Sequence, residues 1–189
     1  RAIYMVSAWA AENEIVLGQR KVDEKSNEIT AIPELLKMLD ISGCIVTIDA
    51  MGTQTTIAKT IQESNADYVL SVKENQGHLF EDISVLFGVD QEQNFKYASL
   101  EYHKTVNKGH GRIEVRECWS TSNPEYLNLI RNMRNWAGLK SIVMVVSTRI
   151  IAGKESKDTR YYISSLESNA ERILQVVRRH WAIENELHW

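Results

Sequence analysis

Residues 44–76 read CIVTIDAMGTQTTIAKTIQESNADYVLSVKENQ, and their rhythm decides the fold class. Cys44 to Ile48 is a short unbroken apolar run, the pattern of a strand buried on both faces. From Thr53 to Glu63, Ile57, Ala58 and Ile61 recur at helical spacing. Tyr68 to Val72 is a second buried strand, after which Leu79, Ile83, Leu86 and Phe87 mark another amphipathic helix. Strand, helix, strand, helix is the order of a parallel α/β unit. In such sheets ligands bind beyond the carboxyl ends of the strands, which is where Asp49 stands. That position suits a functional acid, and equally a residue that only caps the loop or the next helix.

Upstream, Ile3 to Ala10 and Ile15 to Val22 are strand-like runs separated by a polar break, which predicts a hairpin. Ile29 to Leu39 has helical spacing, with Pro33 tolerated in the first turn. Downstream, alternating runs within Tyr97 to Ser122 flank Asn107-Lys108-Gly109, a turn signal, so a second hairpin is expected. On its second arm Arg112, Glu114 and Arg116 share one face. Pro124 to Trp136 reads as a helix, and Ser141 to Ile151, the longest apolar run, as a central strand. Gly153 to Asp158 reads as a polar turn, and Arg160 to Ser164 as the antiparallel partner that follows it.

Asn169 is placed to cap a last helix. Ala170, Ile173, Leu174, Val177 and Trp181 form its apolar stripe, with Arg172, Gln175, Arg179 and Glu186 opposite. Glu184 follows Val177 by nearly two turns and so falls on the stripe. A carboxylate buried there needs a hydrogen bond, an ion pair or a metal; at a solvated rim it needs nothing.

The 189 residues are 43% hydrophobic and 25% charged, ordinary values for one globular domain with a real core. No apolar run is long enough to span a bilayer, so no membrane partner is expected. Cys44 and Cys118 are isolated, Cys44 reads as a small core residue, and a reducing cytoplasm is the default. A net charge of −3 argues weakly against a nucleic-acid partner. Yet Lys104, Lys108, His110, Arg112 and Arg116 cluster, as do Arg178, Arg179 and His180. The chain starts at Arg1 and stops at Trp189 inside a helical pattern, so a piece of a longer protein is expected.

Only folding can bring Asp49 and Glu184 together. Two carboxylates at a sheet's end suit Mg²⁺ or Mn²⁺, which prefer hard oxygen ligands. A pair of such ions can activate a nucleophile and stabilise the leaving oxygen in phosphoryl transfer. A two-ion site normally needs a third acid, and no other acid here ends a buried strand so cleanly.

The run HWAIENELHW at 180–189 resembles the terminal catalytic motif of bacterial DDE transposases in the H-repeat-associated branch. DEKSNEI at 23–29, IDAMG at 48–52, VKENQ at 72–76, HGR at 110–112 and RYYISS at 160–165 resemble further blocks of that family. They occur in the same order, over nearly the whole chain. The resemblance implies an α/β, ribonuclease-H-like mixed sheet flanked by helices, with a β-rich insertion before the last helix. Residues 1–96 would form the core, its first strand lying upstream; 97–165 the insertion; and 166–189 the terminal catalytic helix.

The same resemblance makes Asp49 the second Asp and Glu184 the Glu of a triad holding two Mg²⁺ or Mn²⁺ ions. The first Asp would lie on a strand before Ile3. The implied activity is cleavage at insertion-sequence ends, after which the freed 3′-hydroxyl attacks target DNA. The chain by itself is expected to be inactive. The implied partner is double-stranded DNA, contacted by Lys73, Asn75, Lys108, His110, Arg112, Arg178, His180 and Asn185, in a self-associating complex on the bacterial nucleoid. The chain departs from the wider group's tyrosine–arginine–glutamate–lysine signature. Val177 and His180 stand at the first two positions, and the lysine would fall beyond Trp189. Two competing readings are a degenerate remnant that binds DNA or a partner without cutting, and a related metal-dependent nuclease that does not join strands.

Overall fold

The computed structural model describes residues 5–10, 15–21, 28–92, 99–109 and 111–186, of which 5, 6, 9, 15, 21, 28, 90–92 and 182–186 are described as backbone. Strands β1 (Met5–Ala10) and β2 (Ile15–Lys21) pair antiparallel as a two-stranded sheet, the expected hairpin. Helix α1 (Glu28–Lys37) leads to β3 (Ile45–Ile48), α2 (Thr55–Glu63) and β4 (Asp67–Val72). A 3-10 turn at Glu74–Gln76 opens α3 (Gly77–Glu92). There follow β5 (Glu101–Gly109), β6 (Arg112–Thr121), α4 (Pro124–Leu127), β7 (Ser141–Ile151), β8 (Lys154–Ser164) and α5 (Ala170–Glu186). Strands β3 to β8 form one six-stranded sheet in the order β3-β4-β8-β7-β6-β5. The β3–β4 pair is parallel and the other pairs are antiparallel. The chain is therefore a mixed α/β structure, as the strand–helix rhythm predicts.

Alternation along the strands sends side chains to two cores. On one face Tyr68, Leu70, Met144 and Ile163 pack with Ile57 and Ile61 of α2 and Ile83 and Phe87 of α3. On the other, Val69, Cys118, Val143 and Val145 pack with Ile173, Leu174 and Val177 of α5. The stripe read from the sequence is thus the buried face of α5. Asn169 caps this helix as expected, its Oδ1 accepting the N–H of Arg172 at 2.8 Å. The loop before it is tied to the end of β6, where Ser168 N–H donates to Ser122 Oγ at 2.7 Å. The segment expected as a β-rich insertion supplies four strands of this same sheet, joined to the α/β half where β8 pairs with β4.

Four details differ from the sequence reading. Among the described residues β3 is an edge strand of the sheet, and it is only half-buried; Cys44 before it is exposed. Asn107-Lys108-Gly109 stays in β5: Gly109 pairs with Arg112, and the turn is carried by Gly111 with φ +71°. The β7–β8 turn is Ala152-Gly153, both at positive φ, so the polar run 154–159 is strand rather than turn. Pro124 to Trp136 is not one helix. It breaks after Leu127, and Asn132 is left-handed at φ +57°.

The break has a partner in α3. Asp82 accepts the backbone N–H of Arg131 at 2.8 Å and its Nε at 2.8 Å, and Glu81 also meets the guanidinium. Burial alone would raise the Asp82 carboxyl, but the hydrogen bonds and charge of Arg131 outweigh it and hold it below the ordinary value. A carboxylate depressed in this way stabilises the fold above its unfolded pKa and loses that contribution as pH falls through the folded one. Stability should therefore drop as pH is lowered from roughly 5 to 3, and less so in Arg131→Gln. Denaturation midpoints of both chains across that range check it; parallel profiles would show that the pair contributes nothing.

Candidate active site

The carboxyl end of β3 runs into a short loop, residues 49–53, that is fastened on several sides. Gly52 N–H donates to Asp49 Oδ1 at 3.2 Å. Thr53 Oγ1 is buried, 2.6 Å from the Ser71 carbonyl and 3.1 Å from that of Asp49. From the turn after β4, Asn75 Nδ2 donates to the Ala50 carbonyl at 2.6 Å, and Gln76 Nε2 to that of Thr53. Gly52 is wedged below. A methyl group there would collide with Ile48 Cγ2 and come within 2.8 Å of Ile32 Cδ1. Asp49 itself is exposed. One carboxylate oxygen caps the loop, and among the described residues nothing else engages the group. The capping role and an outward-facing charge coexist in this side chain.

Helix α5 reaches the same strand. His180 Nδ1 lies 3.0 Å from Thr47 Oγ1, joining residues 133 apart in sequence. Asp49 follows Thr47 by one pleat repeat, about 6.6 Å, and Glu184 follows His180 by one turn, about 6 Å. The backbone stations of both acids are therefore one short step from a single hydrogen bond. The side chains of Glu184 and Asn185 lie outside the described residues. Next to His180, Trp181 carries the Arg160 guanidinium 4.0 Å over its ring, a cation–π contact from β8.

The remaining candidates are dispersed. Lys73 is exposed directly after β4, beside the fastened loop, and Arg178 is exposed on α5. Lys108 and Arg112 are exposed at the end of the β5–β6 hairpin. The strand directions put that end on the same side of the sheet as Asp49. It is, however, at the opposite edge, five strand spacings or roughly 24 Å across. His110 lies outside the described residues. Asn75 and His180, expected to contact DNA, both spend a side-chain polar group on the protein itself. Gln76 and Thr53 were not singled out by the sequence; the only signal was their place after buried strands. Among the described residues no group of three or more His, Cys, Asp or Glu is arranged for a metal ion, and no helix is long and apolar enough to cross a membrane.

The family model for the transposase DDE domain matches residues 1–189. "H repeat-associated putative transposase YhhI" of Escherichia coli K12 is 44% identical over 100% of this chain and 50% of its own length. "Putative transposase YncI" of Escherichia coli O157:H7 is 44% identical over 100% of this chain and 48% of its own. The "uncharacterized protein in dhlA 3′region" of Xanthobacter autotrophicus is 40% identical over 87% of this chain and 54% of its own. The chain spans about half the length of the curated relatives it matches.

Proposed function

This chain belongs to the transposase DDE-domain family, and on that premise we propose that it carries the catalytic acids for metal-dependent cleavage and joining of DNA at insertion-sequence ends. The observation that supports this most is the His180–Thr47 hydrogen bond, which brings the helix bearing Glu184 against the strand that ends at Asp49. We assign the metal ligands to Asp49 and Glu184. Their carboxylate oxygens suit Mg²⁺ or Mn²⁺, and the exposed, singly hydrogen-bonded Asp49 has a free oxygen to offer. When bound, such ions supply the positive charge that phosphoryl transfer needs at the attacking and leaving oxygens.

The fold reading is a ribonuclease-H-like core, residues 1–96 with 166–189, extended by the strands of 97–165. β3 is paired on one side only among the described residues, which leaves an edge for the strand that would carry the third acid. Lys73, Lys108, His110, Arg112, Arg178 and Asn185 are assigned to DNA. Asn75 and His180 act instead as positioning residues, the first on the Asp49 loop and the second on α5. The substrate is double-stranded DNA on the nucleoid, held by a self-associated complex.

The test is a nicking and strand-transfer assay of the full-length protein on DNA bearing its ends, with Mg²⁺ and with a chelator. Cleavage should require the ion and vanish in Glu184→Gln, while DNA binding persists. Undiminished cutting by Glu184→Gln would remove the assignment. Cutting without joining would make the protein a nuclease rather than a transposase.

A further inference from the structure

The two long hairpins carry an ordered set of guanidiniums on the face shared with α5. Cys118 of β6 and Val145 of β7 lie under α5. Two, four and six residues from Cys118 on the same face stand Arg116, Glu114 and Arg112, and four residues beyond Val145 stands Arg149. Glu114 and Arg149 are direct cross-strand partners. The carboxylate of Glu114 gathers all three cations: Arg116 Nη2 at 2.6 Å, Arg112 Nε at 3.3 Å and Arg149 Nε at 3.4 Å. Its side chain is 12% exposed, against 49% for Arg112, 55% for Arg149 and 24% for Arg116, so the acid lies beneath, Arg112 and Arg149 face solvent and Arg116 is half-buried between them. Arg160 continues the face on β8, opposite Val145, bonded to Asp158 and stacked on Trp181 of α5. With Lys154 of β8 and Glu101 of β5, which share the face, five cations stand against three carboxylates on these strands and leave it positive, although the chain as a whole is −3.

We propose that this face is a backbone-binding track for duplex DNA, along which Arg112, Arg116 and Arg149, held in register by Glu114, lead through Arg160 to the helix that bears Glu184. The inference rests on the DNA-processing reading above and adds where the duplex lies: across one face of the hairpins rather than only at their tip. Guanidinium forks suit phosphate oxygens because they present paired donors, and anchoring them on a half-buried acid restricts their rotamers before the ligand arrives. The opposite face of the same hairpins supplies an internal control. Lys104, opposite Glu117, and Lys157, opposite Thr148, point the other way and carry the same charge.

The experiment compares two charge-matched double variants of the full chain, Arg116→Gln/Arg149→Gln and Lys104→Gln/Lys157→Gln. Binding of a fluorescent duplex of random sequence is titrated over a range of salt. Removing two phosphate contacts should weaken binding about tenfold at low salt and lower the log–log salt slope by about two. The lysine pair should change both far less. Equal losses from the two pairs, or no loss from the arginine pair, would overturn the track while leaving the DNA reading in place. No salt-dependent binding by the unsubstituted chain would overturn both. Should the arginine pair fail to fold, as judged by circular dichroism, Arg149→Gln alone against Lys157→Gln alone makes the same comparison with a slope change of about one.

Discussion

Asp49→Asn is expected to leave the fold intact and, in the full-length protein, to lower metal-dependent DNA cleavage at least ~100-fold, the scale of losing one preorganised group from a charged transition state. The two halves of that expectation come from the two roles of the side chain. Asn retains the oxygen that accepts the Gly52 N–H at 3.2 Å, so the cap on the loop survives. What is removed is a negative charge on an exposed residue, which should alter folding stability by less than about 0.5 kcal/mol. On the proposed assignment a hard divalent cation would lose an anionic ligand, while a duplex would lose only a repulsive charge, so DNA affinity should hold or rise. Cleavage rates with Mg²⁺, measured alongside DNA affinity and thermal melting, separate these effects. An unchanged rate would reduce Asp49 to a capping residue.

Gly52→Ala should be costly for a different reason, by about 1–3 kcal/mol. The constraint is space. The added methyl would meet Ile48 Cγ2 and Ile32 Cδ1, both branched side chains with little freedom to retreat. Relief requires lifting the 49–53 loop, which strains the bonds from Asn75 and Gln76 and shifts Asp49 along with them. Cleavage should therefore fall together with stability. The same change at Gly88, inside α3 with nothing near its added Cβ, should stabilise by about 0.5–1 kcal/mol through helix propensity. Urea midpoints of the two variants should move in opposite directions. If Gly52→Ala is as stable as the unsubstituted chain, the wedge is not as tight as the geometry states.

The sequence was most legible where burial and periodicity act together. Residues 44–87 alternate as strand and helix because Tyr68, Leu70, Ile57, Ile61 and Ile83 all have to be dry, and all of them are. It was least legible in the hairpins. The run 154–159 is exposed throughout, and its strand state comes from pairing with β7, which leaves no apolar trace. The 124–136 helix failed for a reason that lies in α3: Asp82 takes the N–H of Arg131, and nothing near Arg131 in sequence announces it. The two cysteines divide similarly. Cys118 is core, its thiol pushed up to about 12 by burial, whereas Cys44 sits outside the strand that its apolar neighbours define. At the site, the place of Asp49 was readable from strand-end logic. Its fastening by Asn75 and the docking of His180 on Thr47 were not, since they join positions 25 and 133 residues apart.

The β4–β8 seam carries a consequence for how the protein is made. Tyr68 donates its N–H to Ser165 Oγ across 97 residues, and the adjoining ladder is just as distant in sequence. On the ribosome, β4 emerges long before the strand it pairs with, and α5 can settle only after that strand has arrived. Such late closure slows folding, because distant segments must meet before any contact rewards them. It also means that Thr47 and His180, which meet in the finished fold, stay apart for as long as the two hairpins between them are still being made.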